Sequence, residues 1–231
     1  LKNDPANNQI DVDDGWLDLR HGPPLRINAM IDGVYAIIMT ILVLDLKLPE
    51  NLSQNDTTAS FYALTPRILA FVLSFAIAAS SWAYSHTIGP LYQRSNTTHV
   101  AINLTALMFA SLIPFCASVL GSLPNSALGP EIYALVVSAQ SVLYVLDLLV
   151  CRKALIPQLV SRKLIFGIVV RNAIGGVSIV LIGTLVAPQY PRLALWLIVM
   201  HFAAFWWMMY TFARPIHAAV KRAEKQRELA T

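Results

Sequence analysis

Charge is the scarcest property of this sequence. Asp, Glu, Lys and Arg together make up 13% of its 231 residues, about half of what a water-soluble domain carries. With 56% hydrophobic residues and a mean hydropathy of +0.58, too few polar side chains are present to cover a soluble globule. The same composition excludes a disordered chain. Cysteine is also scarce. The two present, Cys116 and Cys151, lie in apolar stretches, which excludes a disulfide scaffold and reads as buried thiols without metal partners. His-Glu-x-x-His, Gly-x-Ser-x-Gly, P-loop and dinucleotide signatures are missing, so no enzyme class is indicated. Ser85-His86 lacks a third group to orient it as a nucleophile and base. There is no zinc-finger spacing and no basic patch interleaved with aromatics, so the net charge of +4 does not imply nucleic acid. The first residues, with Asp11, Asp13 and Asp14, lack the apolar core of a signal peptide.

Long apolar runs are what the sequence has. They cover 27–48, 61–87, 98–120, 131–151, 164–187 and 192–213, each about the 20 residues that a helix needs to cross a bilayer. The expectation is an all-α membrane protein with six transmembrane helices. A polar cytoplasmic arm would occupy 1–25, the membrane domain 26–213, and a basic cytoplasmic tail 214–231. Six spans put both termini on one side. That side would hold Arg20, Arg26, Arg94, Arg152, Lys153, Arg162, Lys163, Arg214, Lys221, Arg222, Lys225 and Arg227, against Lys47, Arg67 and Arg192 opposite. Cytoplasmic loops carry the excess of Lys and Arg, so both termini are expected to be cytoplasmic. Trp16, Trp206, Trp207 and Tyr210 would sit in one aromatic belt. Asp147 is expected to pair with Arg152 or Arg171, and Arg171 can otherwise snorkel to the interface.

The first span differs from the rest. It starts at Arg26, carries Asp32-Gly33 and runs apolar to Asp45. At 100° per residue, Ile37, Ile41 and Leu44 fall within about 60° of one another. Thr40 lies beside that stripe, and Asp32 points roughly to the opposite side. An acid inside a membrane helix is costly, so Asp32 should turn into protein. The stripe alone is more often a helix–helix packing face than a pore lining, and Thr40 alone is usually bonded back to its own helix.

Arg26-xxx-Met30-Ile31-Asp32-Gly33-Val34, followed by Ala36-Ile37-xx-Thr40-Ile41-Leu42-x-Leu44, resembles the signature of the transmembrane protein 175 family of potassium channels. Trp82 and His86 resemble the Trp and His of that family's second helix. Asn103-Leu104 and Pro114-Phe115 resemble the pattern of its third. The family's Phe-Ser before the Asp is Met30-Ile31 here, which puts one packing contact of the first helix in doubt.

The resemblance implies a homotetramer of six-helix subunits in a cell membrane, with the first helix of each lining a central pore. It makes Ile37 the constriction, Ile41 and Leu44 the further apolar lining, and Thr40 a hydroxyl ring favouring potassium. Arg26, Asp32, Gly33, Trp82, His86 and Asn103 become structural motif residues, and Asp45 stands at the outer mouth. Potassium ions, the lipid bilayer and other copies of the chain are the implied partners, with no prosthetic cofactor and no metal. A Thr-Val-Gly-Tyr-Gly filter loop is absent, so selectivity would have to come from side chains and a hydrophobic neck. The other readings are an ion-coupled secondary transporter, which needs a polar midplane site and broken helices, and a non-conducting membrane scaffold.

Overall fold

The structure is a computed structural model that describes residues 25–47, 64–156, 162–204, 206 and 207. The arm at 1–24, the polar run at 48–63 and the tail from 208 lie outside the described residues. Among the described residues every named element is a helix, joined by short turns, and the one β feature is an isolated bridge between Tyr92 and Leu155.

Helix α1 (Leu25–Ile41) tightens into a 3₁₀ turn over Leu42–Asp45. It buries Ile27, Ile31, Tyr35, Ile38 and Leu42, one stripe at helical spacing. Ile31, which stands where the resembled signature has serine, therefore packs in the core, whereas Met30 is exposed. Helix α2 (Thr65–Ile88) has Pro66 in its first turn, where a missing N–H costs nothing, and gives way to a short 3₁₀ turn holding Pro90. The third apolar run is divided into α3 (Thr97–Ala110) and α4 (Ile113–Ser122). Pro114 cannot continue the ladder, so the break falls at Ser111-Leu112. Asn96 opens α3 by accepting from His99 N at 2.8 Å, which satisfies one of the helix's free N–H groups.

Helix α5 (Leu128–Val150) is the hub, packing against α3, α4 and α6 (Arg162–Leu181). Helix α6 widens into a π turn over Ile182–Val186. That turn brings Gly183 against α5, where an added Cβ would lie 2.3 Å from Ala134 Cβ. Helix α7 (Pro191–Ala204) is the described part of the sixth apolar run.

Among the described residues, five stretches are long and apolar enough to cross a membrane: Arg26–Asp45, Thr65–Leu91, Thr97–Ser122, Leu128–Val150 and Arg162–Val186. The chain is thus an integral membrane protein. Its charged ends are sorted. Gln93 N donates to Ala154 O at 2.8 Å, and Ile156 N to Leu91 O at 2.9 Å, which places Arg94, Arg152 and Lys153 together at one end of the bundle. At the other end Arg67 Nη1 donates to Lys47 O at 2.9 Å, and Arg192 Nε to Asn125 Oδ1 at 3.1 Å. Arg171 does not reach an interface. It is buried, with its guanidinium carbon 5.7 Å from the Tyr84 ring centroid.

Candidate functional site

Helix α1 has two faces of opposite character. Tyr35 and Leu42 are 1% and 0% exposed, whereas Ile37 and Leu44 are 60% and 66% exposed. Ile41 and Thr40 are exposed on the same side. The stripe read from the sequence is therefore the face that this chain leaves uncovered. In a membrane protein such a face meets lipid, another subunit or an aqueous path.

The buried face is locked. The Tyr35 and Tyr144 hydroxyls lie 2.8 Å apart, joining α1 to α5 inside the core. Gln140 Nε2 reaches Tyr35 Oη at 3.5 Å and Ala106 O at 3.4 Å. With the back of α1 held by a hydrogen-bonded pair in a low-dielectric interior, the rotation of its front face is fixed. The sequence reading missed this pair, because Tyr35 and Tyr144 meet only through the packing of α1 and α5.

Thr40 Oγ1 donates back toward its own helix, 2.8 Å from Ile37 O and 3.0 Å from Ala36 O. A hydroxyl has one hydrogen and two lone pairs. Committing the hydrogen to the backbone leaves the lone pairs to face outward, as a cation requires. Asp45, at the end of the 3₁₀ turn, is half-buried beside a recess of about 220 Å³ that Lys47 and Arg67 also line.

Of the motif residues, Asp32, Trp82 and His86 come together. Trp82 Nε1 donates to Asp32 Oδ1 at 2.8 Å, and the Trp82 and His86 rings stack with centroids 5.0 Å apart. Asp32 was expected to turn into the protein, and this is corrected: its residue is exposed. It sits on the flank of α1, at the border between the two faces, where the indole of α2 reaches it. Gly33 is exposed, and a Cβ there would meet open space. Arg26 begins the helix on the exposed side.

Asn103 stands apart from these, buried on α3, with Nδ2 donating to His99 O at 2.9 Å. His99 Nδ1 lies 2.8 Å from Asp147 Oδ1, and Tyr92 Oη donates to Asp147 Oδ2 at 2.7 Å. Asp147, expected to answer a nearby arginine, thus takes a histidine 48 residues upstream and a tyrosine. Burial and the adjacent Asp147 carboxylate raise the Tyr92 hydroxyl far above its ordinary range, which keeps it a donor.

Residues 26–114 match the family model described as "Endosomal/lysosomal potassium channel TMEM175". A curated "Potassium channel" of Chryseobacterium sp. is 36% identical over 97 residues, covering 42% of this chain and 48% of the relative. One of Chamaesiphon minutus is 32% identical over 114 residues, covering 47% and 56%. The "Endosomal/lysosomal proton channel TMEM175" of Danio rerio is 26% identical over 105 residues, covering 45% and 20%. The chain thus spans about half the length of the curated bacterial relatives it matches. In fold it is similar to the crystal structure of a lysosomal potassium-selective channel TMEM175 homolog from Chamaesiphon minutus, with a TM-score of 0.67 and 23% identity, over 84% of this chain and 97% of the other. The family resemblance read from the first three apolar runs is borne out over that stretch.

Proposed function

We propose that this chain, with its TMEM175 match over residues 26–114, is one subunit of a potassium-preferring cation channel. The observation that carries the reading is the uncovered face of α1, an apolar stripe with one hydroxyl on a helix whose back is hydrogen-bonded in place. Four copies, six helices each, would bring four such faces around an axis. The bacterial relatives that match this stretch are named potassium channels, which supports potassium as the permeant ion.

In this arrangement Ile37 forms a hydrophobic neck that gates by dewetting. Ile41 and Leu44 extend the apolar lining, and Asp45 draws cations to the outer end. A neck penalises sodium more than potassium, because sodium holds its hydration shell more tightly. The Thr40 oxygens replace part of the water that potassium sheds. Selection then needs no carbonyl filter, and the expected selectivity is moderate. The end bearing Arg94, Arg152 and Lys153 faces the cytoplasm of a bacterial cell.

The test is a flux assay in proteoliposomes under separate potassium, sodium and proton gradients. Thr40→Ala is expected to lower the potassium-to-sodium ratio several-fold, while Thr40→Ser retains most of it. Equal permeability to potassium and sodium, unchanged by Thr40→Ala, would remove the hydroxyl ring from the account. The vertebrate relatives are named proton channels, so flux driven by the proton gradient alone would reassign the permeant ion. Saturable flux of one ion coupled to another would instead mark a carrier.

A further inference from the structure

We propose that His99, Asp147 and Cys151 form a binding site for a divalent transition-metal ion of the zinc type, at the end of the bundle that carries Arg94, Arg152 and Lys153. Their donor atoms, an imidazole nitrogen, a carboxylate oxygen and a thiol sulfur, lie within 4.8 Å of one another, and all three residues are buried. Zinc takes these donor types at about 2.0–2.3 Å, which sets tetrahedral donors about 3.3–3.7 Å apart. The cluster therefore needs only small side-chain adjustments to close around an ion.

The fold holds the donors from two helices. Asp147 and Cys151 are four residues apart at the end of α5, so they share a face. His99 sits in the first turn of α3, where Asn96 caps its N–H and Asn103 donates to its carbonyl. Tyr92 occupies Asp147 Oδ2, which leaves Oδ1 toward His99. Hydrogen-bond partners such as Tyr92 on Asp147 orient ligands in metal sites. Cys151 Sγ donates to Asn96 Oδ1 at 3.8 Å, a bond that is given up with the thiol proton. A cavity of about 20 Å³, lined by Tyr92, His99, Asn103 and Asp147 among others, adjoins the cluster. It has room for one water as a fourth ligand.

Two costs oppose binding. The ion must replace the His99–Asp147 hydrogen bond. It must also displace the thiol proton of Cys151, which burial and then the Asp147 carboxylate push up to about 12. A bound divalent cation deprotonates a coordinating thiol outright, releasing the proton to solvent. One carboxylate, one thiolate and a divalent ion sum to zero charge, which suits a buried site. The ion would clamp the start of α3 to the end of α5.

Cobalt(II) is the probe, added to the full chain in detergent. The expected result is one ion per chain, a thiolate-to-cobalt charge-transfer band in the near ultraviolet, and loss of that band when zinc is added. Cys151→Ser removes the band, and His99→Gln weakens binding by at least about tenfold, the lower range for disturbing a metal shell. Cys116→Ser, buried in α4, leaves the band intact. Zinc also raises the melting temperature of wild type but not of Cys151→Ser. A wild-type chain with no charge-transfer band, or a band that survives Cys151→Ser, overturns the site. Neither readout depends on ion conduction.

Discussion

Replacing Ile37 with asparagine is expected to raise potassium flux through reconstituted protein by about tenfold or more. Ile37 is 60% exposed on the uncovered face of α1, and four copies facing one another would make a ring that water leaves. An asparagine ring offers hydrogen bonds and keeps the neck wet. Removing even about 1.4 kcal/mol of a dewetting barrier changes a rate tenfold. Ile38→Asn is the control on the same helix turn. Ile38 is 3% exposed and lies in the core, so that change buries an amide without partners and lowers stability. Patch recordings or vesicle flux separate the two outcomes. An Ile37→Asn protein with wild-type flux would move the gate off this residue.

The second large effect is on stability. Gly183→Ala is expected to destabilise the bundle by about 1–3 kcal/mol, the usual cost of forcing extra volume into a packed interior. An alanine elsewhere in a helix would help, because glycine is the weaker helix former by about 1 kcal/mol. Here the new Cβ would sit 2.3 Å from that of Ala134, a distance that atoms do not tolerate. Helices α5 and α6 must separate to relieve it. Removing the facing methyl should restore much of the loss, since the next atoms met are Pro130 O at 3.4 Å and Glu131 Cα at 3.7 Å. Thermal unfolding in detergent of Gly183→Ala, Ala134→Gly and the double variant measures this. A single variant as stable as wild type, or a double variant no better than the single, would place the close approach elsewhere.

Sequence and structure agree best where the signal is local. Apolar runs separated by polar, Pro- and Gly-containing stretches located the described helices to within a few residues. Pro114 marked the point where the third run divides. The stripe at Ile37, Ile41 and Leu44 was legible because α1 keeps its buried and exposed residues on separate sides. Asp32 was harder. It lies about 150° from the centre of the stripe and about 100° from the centre of the buried face on a helical wheel, a border position that only the approach of Trp82 resolves. The partners of Asp147 were out of reach for another reason. Nothing in the sequence joins position 99 to 147 until α3 packs on α5. The four-residue spacings of Asp147 with Cys151, and of His99 with Asn103, were a usable sign that each pair shares a helix face. The π turn at Ile182–Val186 left no mark beyond Gly183 itself.

The proposed pathway requires the exposed face of α1 to meet water rather than lipid. Cysteine accessibility decides it. Ile41→Cys and Leu44→Cys test the α1 face, and Val142→Cys tests an exposed position of α5 that is 64% accessible. The two native cysteines are buried and form a silent background. A charged, membrane-impermeant thiosulfonate reacts with thiolates in water and not with thiols in hydrocarbon. If α1 lines the ion path, the reagent modifies positions 41 and 44 and changes the potassium current, while position 142 stays unmodified. Positions 41 and 44 as unreactive as 142, with current unaltered, would put the α1 face against lipid and contradict the account.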